Sequence, residues 1–269
     1  MTNSYDTALA LIQALFAAIF GLAFGSFGTV LATRLISDES ISKEPSHCRG
    51  CGTPLTWRQN IPLFSWLVQR GRCAQCGEKI SIAYPVCEAT TALLFVGTVG
   101  QSLSIEAIAM AGLAVVTAPM IWTDLKTHRL PNAMTYGLAL FGALTALATF
   151  ILDGNPSRLV TAFTWGLVPA AAMFLLNLLS RGGMGMGDVK LSLGLGLILS
   201  IQSTAAMSTA FILAFAVAAI VAALTLALRK TSLKAAIPFG PYLLLGSWVS
   251  YLVGTTLQAF ITAPWAVTF

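Results

Sequence analysis

Long apolar runs separated by short polar gaps extend along most of the chain. A helix that crosses a bilayer needs about 20 mostly apolar residues. The pattern therefore predicts an all-α polytopic membrane protein with about eight transmembrane helices, the second and sixth short enough to be tilted or partly interfacial. The predicted spans are residues 8–32, 86–100, 104–123, 132–152, 158–180, 188–201, 204–228 and 240–262.

One polar gap is much longer than the others and covers residues 38–84, between the first two predicted spans. Its charges, prolines, glycines and polar residues are typical of a segment that lies outside the bilayer. We therefore divide the chain into a first transmembrane span at 1–37, a loop domain at 38–84 and a membrane-embedded core at 85–269.

Charged residues are few and unevenly placed. They make up 9% of the chain, and hydrophobic residues make up 57%, whereas a typical soluble domain is about 25% charged. Fourteen of the fifteen basic residues fall in gaps on one side of the predicted spans, and only Arg158 falls on the other. By the positive-inside rule the basic side is cytoplasmic and the N-terminus lies outside. The net charge of +5 is thus explained by basic residues that mark the cytoplasmic ends of the spans. We therefore predict that the protein contacts the lipid bilayer and does not bind nucleic acid.

The loop domain contains two cysteine pairs, CRGC at 48–51 and CAQC at 73–76, separated by 21 residues. Two such knuckles can supply four thiolates to one tetrahedral metal ion. Gly52 and Gly77 follow the two pairs at the same offset, where a knuckle turn favours a residue that tolerates positive φ. A small loop on a reducing cytoplasmic face is more often held by zinc than by disulfides. The predicted structural Zn²⁺ ligands are Cys48, Cys51, Cys73 and Cys76.

Other interpretations of the cysteines and their neighbours stay open. The four thiols could be unligated or form redox pairs. His47 adjoins the first pair, but four thiolates already complete a tetrahedral site. Cys87 begins the second predicted span and is expected to be a small buried hydrophobic residue.

The ten carboxylates can be sorted by their position along the chain. Glu106 begins the third predicted span on the outer side, where the helix dipole favours a negative charge. Three others lie at the inner edges of predicted spans: Glu88, Asp124 and Asp188. Solvation accounts for the remaining six, which lie in loops or tails: Asp6, Asp38, Glu39, Glu44, Glu78 and Asp153.

Asp124 and Asp188 are predicted to lie at the same cytoplasmic depth. Two carboxylates held close together share a proton, so that the ionised one can activate water while the other polarises a carbonyl. Carboxylates at a membrane edge are costly and point to function. Two alternatives remain open at this stage: helix caps and ion pairs with Lys126, Arg129 or Lys190, and a proton or ion pathway.

The motif settings of the two aspartates resemble a known family. DLKTHRLPN at 124–132, GMGDVKL at 185–191 and the four-cysteine loop are similar to segments of the type IV prepilin peptidases, which are GxGD membrane aspartic proteases. A single GxGD would be unspecific, but the ordered set of matches covers nearly the whole chain. The other matches are GSF at 25–27, NIPLFSWL at 60–67, RGRC at 70–73, YP at 84–85 with Glu88, and PFGPYL at 238–243.

The resemblance implies a function and a site. Members remove the basic leader peptide from type IV prepilins or pseudopilins, after a glycine and on the cytoplasmic side of the bacterial inner membrane. Many also methylate the new N-terminus with S-adenosylmethionine. By match to the motifs, Asp124 and Asp188 would be catalytic, and Gly185, Gly187 and Lys190 would form the supporting loop.

The resemblance also suggests how the substrate is held. We expect the zinc loop to cover the site and to help hold the leader, with Glu44, Glu78 and Glu88 as candidate substrate contacts. Two other classes of function remain as alternatives. A transporter or proton channel would use the aspartates as a relay, although we find no internal repeat with broken helices. An assembly factor without enzymatic activity would use the zinc loop to bind other proteins, and its function would need neither Asp124 nor Asp188.

Overall fold

The structure is a computed structural model that describes residues 4–41, 45–180, 185–228 and 238–261, with side chains described as far as residue 254. In these segments the regular secondary structure is helical, apart from two isolated β-bridges in the cysteine loop. A short 3-10 turn precedes α2. The described helices are α1 (Ser4–Ile36), α2 (Phe64–Val68), α3 (Ala83–Gly97), α4 (Ile105–Thr127), α5 (Asn132–Asp153), α6 (Pro156–Leu179), α7 (Met186–Gln202), α8 (Thr204–Ala227) and α9 (Gly240–Ile261).

The all-helical prediction is confirmed, and each predicted span overlaps one helix. Five helices within the described segments are long and apolar enough to cross a membrane: α1, α4, α5, α6 and α8. α3 has 15 residues and α7 has 17. At about 1.5 Å per residue, both are shorter than the roughly 30 Å hydrocarbon core. The described part of the chain is therefore helical with five candidate membrane spans, and the total of eight stays a prediction.

Residues 1–134 form one compact unit, in which α1 packs against α3 and α4. Two glycines allow α1 and α3 to come close. A Cβ atom at Gly21 would lie 2.5 Å from the Cα atom of Ala92, and one at Gly25 would lie 2.8 Å from the Cα atom of Glu88. Small residues four positions apart let helix backbones approach closely in lipid. The glycine of the GSF motif therefore fixes α1 directly against the start of α3.

The contact between α1 and α4 depends on a third glycine. A Cβ atom at Gly28 would lie 2.5 Å from the carbonyl oxygen of Val115 and 3.4 Å from Cγ of Pro119. Both of these residues belong to α4, which continues through Pro119 toward its C-terminal end. At this point α1 therefore lies against the backbone of α4.

Residues 135–269 form a second compact unit, in which α7 packs against α6, α8 and α9. α6 and α7 cross at a pair of glycines, since a Cβ atom at Gly196 would overlap the carbonyl group of Gly166. A helix surrounded in this way is expected to carry apolar side chains on most of its circumference. Its fully buried aliphatic side chains are Leu191, Leu195, Ile198 and Leu199.

We expect Gly196→Ala to destabilise the second unit by about 1–3 kcal/mol, because the added methyl group must displace helix backbone. Thermal unfolding of the purified protein in detergent measures the effect. Gly137→Ala is the matched control, since Gly137 is also helical, belongs to the same unit and has nothing within 4 Å of its Cβ position. Equal melting temperatures for the two variants would contradict this account of the α6–α7 crossing.

Several helices keep broad apolar faces exposed. On α8, Ile212, Ile220 and Leu224 are each more than half exposed. A continuous exposed apolar surface of this kind is expected where a helix faces lipid rather than water.

Candidate active site and metal centre

Asp124 lies in the last turn of α4 and is 5% exposed. The helix ends just beyond it, where His128 takes a left-handed conformation and donates its backbone N–H to the carbonyl of Asp124 at 2.9 Å. The carboxylate is therefore placed by a regular helix with a defined C-terminal cap. His128 thus has a structural role in ending the helix.

Asp188 is the third residue of α7 and is 8% exposed. Gly185 caps the helix, and its carbonyl accepts the backbone N–H of Asp188 at 3.1 Å. A Cβ atom at Gly185 would lie 3.3 Å from Oδ2 of Asp188, so the glycine leaves room for the carboxylate beside the backbone. Lys190 places its ammonium group 5.2 Å from the ring centre of Tyr136. Of the three residues predicted to form the supporting loop, Gly185 is the helix cap beside Asp188, whereas Gly187 and Lys190 lie within α7. Their support of a catalytic Asp188 stays a prediction.

The two aspartates occupy opposite ends of their helices. Asp188 is at the N-terminal end of α7, where the helix dipole stabilises negative charge, and Asp124 is at the C-terminal end of α4, where the dipole opposes it. Asp124 belongs to the first compact unit and Asp188 to the second. Their pairing remains a prediction.

The four loop cysteines form one cluster. Their sulfur atoms all lie within 4.8 Å of one another, and Sγ of Cys48 is 3.8 Å from Sγ of Cys76. Each pair is built in the same way, because the N–H groups of Gly52 and Gly77 donate to the carbonyls of Cys48 and Cys73 at 2.9 and 3.0 Å. The two glycines have φ values of 71° and 73°. The positive φ predicted for both knuckles is confirmed.

This cluster fits a tetrahedral metal ion. With Zn–S bonds of about 2.3 Å, the sulfur atoms of a tetrahedral site stand about 3.8 Å apart. All five cysteines lie in described segments and none forms a disulfide. His47 lies outside the four-sulfur cluster, with its Nδ1 atom 3.2 Å from the carbonyl oxygen of Pro45. Cys87 is 1% exposed in α3, consistent with a buried hydrophobic role.

The thiols of the cluster differ in acidity. Hydrogen bonds from the side chain and backbone of Thr53 lower the pKa of Cys51 to about 6. The backbone of Glu78 lowers the pKa of Cys76, but desolvation and the three neighbouring cysteines outweigh it and raise that pKa to about 12. Four thiolates at this spacing therefore need a cation to neutralise them.

Two buried charged residues fix the cysteine loop onto the helices. Arg34, near the end of α1 and 7% exposed, donates from its guanidinium to the carbonyls of Ser40, Ile41 and Pro45 at 3.0–3.3 Å. In the sequence Arg34 is one of the fourteen basic residues on the predicted cytoplasmic side, and nothing in its local pattern indicates that it folds back onto the next loop.

Glu88, in the second turn of α3, holds the other side of the loop. It is 5% exposed and accepts the backbone N–H of Leu63 at 2.6 Å, with a further hydrogen bond from Ser26. Of the other candidate substrate contacts, Glu78 is exposed beside the second knuckle and Glu44 lies outside the described residues. Direct contact of these glutamates with substrate stays a prediction.

Glu88 supports a strained turn. Leu63 has φ 61° and ψ −51°, and the N–H of Phe64 donates to the carbonyl of Pro62 at 2.6 Å, which together define a γ-turn. This turn is rare and strained for a residue other than glycine, and such strain persists only when surrounding contacts hold it. The NIPLFSWL motif therefore contains a backbone conformation that Glu88 stabilises.

We expect Glu88→Ala to release this part of the loop, because the N–H of Leu63 loses a charged acceptor, at a cost of about 1.5–3 kcal/mol. Limited proteolysis between residues 45 and 82 measures the release. Glu88→Gln, which keeps an acceptor oxygen, should restore part of the protection. Glu78→Ala is the exposed control, and equal protease sensitivity of the two alanine variants would show that Glu88 does not hold the loop.

Comparison with known proteins agrees with the motif-based resemblance. The profile of the type IV leader peptidase family matches residues 107–228, and that of the bacterial peptidase A24 N-terminal domain matches residues 19–101. No solved structure matches the chain.

Curated relatives extend these matches over most of the chain. A Bacillus subtilis prepilin leader peptidase/N-methyltransferase is 32% identical over 250 residues, covering 90% of this chain and 95% of its own. A protein of the same name from Aeromonas hydrophila is 32% identical, covering 89% and 90%. Another from Neisseria gonorrhoeae is 34% identical, covering 70% and 74%. The resemblance is therefore confirmed, and the chain belongs to the type IV leader peptidase family.

Proposed function

We propose that this protein is a membrane aspartic endopeptidase that removes the basic leader from type IV prepilins or pseudopilins, after a glycine at the cytoplasmic face. The observation that carries the proposal is the burial of two carboxylates, Asp124 and Asp188, each at a helix end and each in its family motif. The names of the relatives favour prepilin processing over a proton relay.

The positions of the aspartates suggest how they divide the chemistry. Asp188, in the first turn of α7, is the better general base, because the helix dipole favours its ionised form. Asp124, in the last turn of α4, is the better acid and would donate a hydrogen bond to the scissile carbonyl. Asp188 takes a proton from water and the resulting hydroxide attacks the carbonyl carbon. Asp188 then gives that proton to the leaving amine as the peptide bond breaks.

The membrane arrangement forms part of the proposal. Eight spans place the cysteine loop, Asp124 and Asp188 on the cytoplasmic side of the bacterial inner membrane. A prepilin has its basic leader on that side and a long apolar helix in the bilayer, so its cleavage point lies at the same interface. The enzyme then needs to unwind only a few residues of the substrate.

Two cofactors complete the proposed function. Zn²⁺ held by the four cysteines would cross-link the loop, which is a structural role away from the reacting bond. S-adenosylmethionine would supply a methyl group to the new N-terminal amine, in keeping with the names of the relatives.

The proposal is tested by co-expressing the chain with a candidate prepilin and measuring the mass of the pilin N-terminus. Loss of the leader with the cut after a glycine is the expected result, and an additional 14 Da on the product (about one CH₂ unit) would report methylation. A prepilin with its glycine replaced at the cleavage point is the control and should stay uncut. If several prepilins and pseudopilins all remain full length beside an active relative, the endopeptidase proposal fails.

A further inference from the structure

A cavity of about 300 Å³ lies within the second compact unit, at the end of α7 that is opposite to Asp188. It is bounded by the last turns of α5, the first turns of α6, the end of α7 and the start of α8. Along α7, Asp188 and Ser200 are separated by about 18 Å at the usual helical rise. The proposed cleavage chemistry therefore makes no use of this cavity.

The wall of the cavity is polar, although the helices that form it are mostly apolar. Each of the four helices contributes a hydroxyl group, from Thr149, Thr161, Ser200 and Thr204, and α7 adds the amide of Gln202. Polar groups among membrane helices are costly unless they meet a polar partner. Polar side chains gathered at one place from four helices therefore indicate a site for a polar ligand.

Ser200 has a buried hydroxyl that finds no hydrogen-bond partner among the described residues. The residue is 6% exposed and lines the cavity. Two other buried hydroxyls of this unit donate to the carbonyl four residues earlier, from Thr149 to Thr145 at 2.9 Å and from Ser247 to Leu243 at 2.8 Å. A buried hydroxyl without a partner is destabilising, so its place in the cavity wall points to a ligand that accepts its proton.

Arg158 brings a positive charge to the mouth of the cavity. It is the one basic residue that the sequence places away from the predicted cytoplasmic side, so the positive-inside rule does not account for it. It lines the cavity and pairs with Asp153, which does not line it. A guanidinium group has five N–H donors in a planar fork that matches the oxygen atoms of a phosphate group. The acceptor best suited to this wall is therefore a phosphate.

Helix ends of both polarities meet at the cavity. At the start of α8, Ser203 accepts the N–H of Ala206 at 2.9 Å, whereas the N–H groups of Thr204 and Ala205 have no partner within the helix. The last turn of α7, residues 200–202, lines the cavity as well. The N-terminal end of a helix favours a phosphate, and the C-terminal end favours a cation. The site therefore suits a ligand that carries both charges.

Surfaces that are expected to face lipid adjoin the cavity. Ile151 and Leu152 at the end of α5 and Val160 near the start of α6 are each more than half exposed. They belong to the ends of the two helices that also supply Thr149 and Arg158 to the cavity. Acyl chains can lie against such apolar faces while a headgroup enters the polar site. This arrangement favours a phospholipid over a free ion.

We propose that this cavity binds the headgroup of a zwitterionic phospholipid, with the phosphate beside Arg158, Ser200 and the start of α8. The ammonium group of the headgroup lies toward the C-terminal end of α7. The inference goes beyond the proposed peptidase function and does not depend on it. A lipid bound here contacts α5, α6, α7 and α8 together, so it stabilises the second unit in proportion to its occupancy.

The test uses the full-length protein in a nonionic detergent and phosphatidylethanolamine as the probe, with binding measured by native mass spectrometry. We expect Ser200→Ala to weaken binding about three- to tenfold, because one hydrogen bond to the phosphate is lost. Arg158→Gln removes the charge and should weaken binding by at least about tenfold. Unchanged binding by both variants would overturn the assignment.

Thermal unfolding separates a ligand site from a purely structural role. Without lipid, Ser200→Ala should be at least as stable as the wild type, since it removes a hydroxyl that has no partner. With lipid, only the wild type should gain stability in full. Ser247→Ala is the matched control, because Ser247 is a buried serine of the same unit with an internal partner. It should unfold at a lower temperature and keep the full stabilisation by lipid, and the opposite pattern in the two variants would reject the site.

Cross-linking of the wild type does not depend on the folding of variants. Phosphatidylethanolamine with a photoreactive group near its glycerol should label segments that line the cavity, within 146–162 or 200–204. Label confined to other parts of the chain would overturn the assignment.

Three competing ligands test the parts of the headgroup. We expect diacylglycerol, phosphatidylglycerol and sodium phosphate each to bind at least about tenfold more weakly than phosphatidylethanolamine. Equal binding of diacylglycerol would show that acyl chains alone account for the affinity. Equal binding of phosphatidylglycerol would reject the zwitterion, and equal binding of sodium phosphate would reject the lipid. A wild type that binds the lipid but cuts no prepilin rejects the endopeptidase proposal alone, and one that cuts prepilin without binding the lipid rejects this site alone.

Discussion

Asp124→Asn and Asp188→Asn should each abolish leader removal, with rates reduced by at least about 100-fold and up to about 10,000-fold. Asparagine keeps the size of the side chain and can accept or donate hydrogen bonds, but it cannot exchange a proton with water. Because asparagine has nearly the same shape and volume as aspartate, either replacement should leave the helices α4 and α7 in place. Initial rates on a purified prepilin, measured by gel shift and mass, give the comparison.

The matched control is Asp153→Asn, at the end of α5, where the aspartate is exposed and pairs with Arg158. This variant should cleave like the wild type. The double variant Asp124→Asn with Asp188→Asn should be no slower than the worse single variant, because residues that act as one unit show non-additive losses. Full activity in either single variant would mean that its carboxylate is structural and that the aspartic mechanism is wrong.

Replacing one loop cysteine should have the second largest effect. We expect the wild type to contain one zinc ion per chain and Cys76→Ser to contain none, with loss of the folded loop. Structural zinc contributes about 10–16 kcal/mol in small zinc domains, which is more than the remaining contacts of such a loop can supply. Metal analysis of purified protein and limited proteolysis of residues 45–82 measure the two losses separately.

Cys87→Ala is the control for this experiment, because Cys87 is buried in α3 and takes no part in the four-sulfur cluster. It should retain the full zinc content. Removal of the metal with a chelator should reproduce the proteolysis of Cys76→Ser, and readdition of Zn²⁺ should reverse it. A full zinc content in Cys76→Ser would show that the four sulfurs do not form the metal site.

The helices could be predicted from sequence because hydropathy and turn chemistry are local. Their ends could be placed only within a few residues. α3 begins at Ala83 rather than at 86, since Pro85 is tolerated in a first helical turn and does not delay its start. α4 runs to Thr127 rather than to 123, so Asp124 lies inside the helix although its polarity suggested an end.

The four-cysteine centre could be predicted in detail, including the positive φ at Gly52 and Gly77, because each knuckle is set by neighbouring residues. The attachment of this loop to the helices could not be predicted from the sequence. The hydrogen bond from Leu63 to Glu88 joins residues 25 positions apart, and no local pattern encodes it.

The contact between α1 and α4 also bears on how this sequence can change over generations. Pro119 has no N–H, so the carbonyl of Val115, four residues earlier, lacks its usual helical partner. That same carbonyl meets Gly28, whose Cα–H can approach it as a weak donor because no side chain intervenes. A larger residue at position 28 would have to push α1 away from this carbonyl or supply a donor of its own. Positions 28 and 119 are therefore expected to be inherited as a pair, each restricting the substitutions that the other can accept.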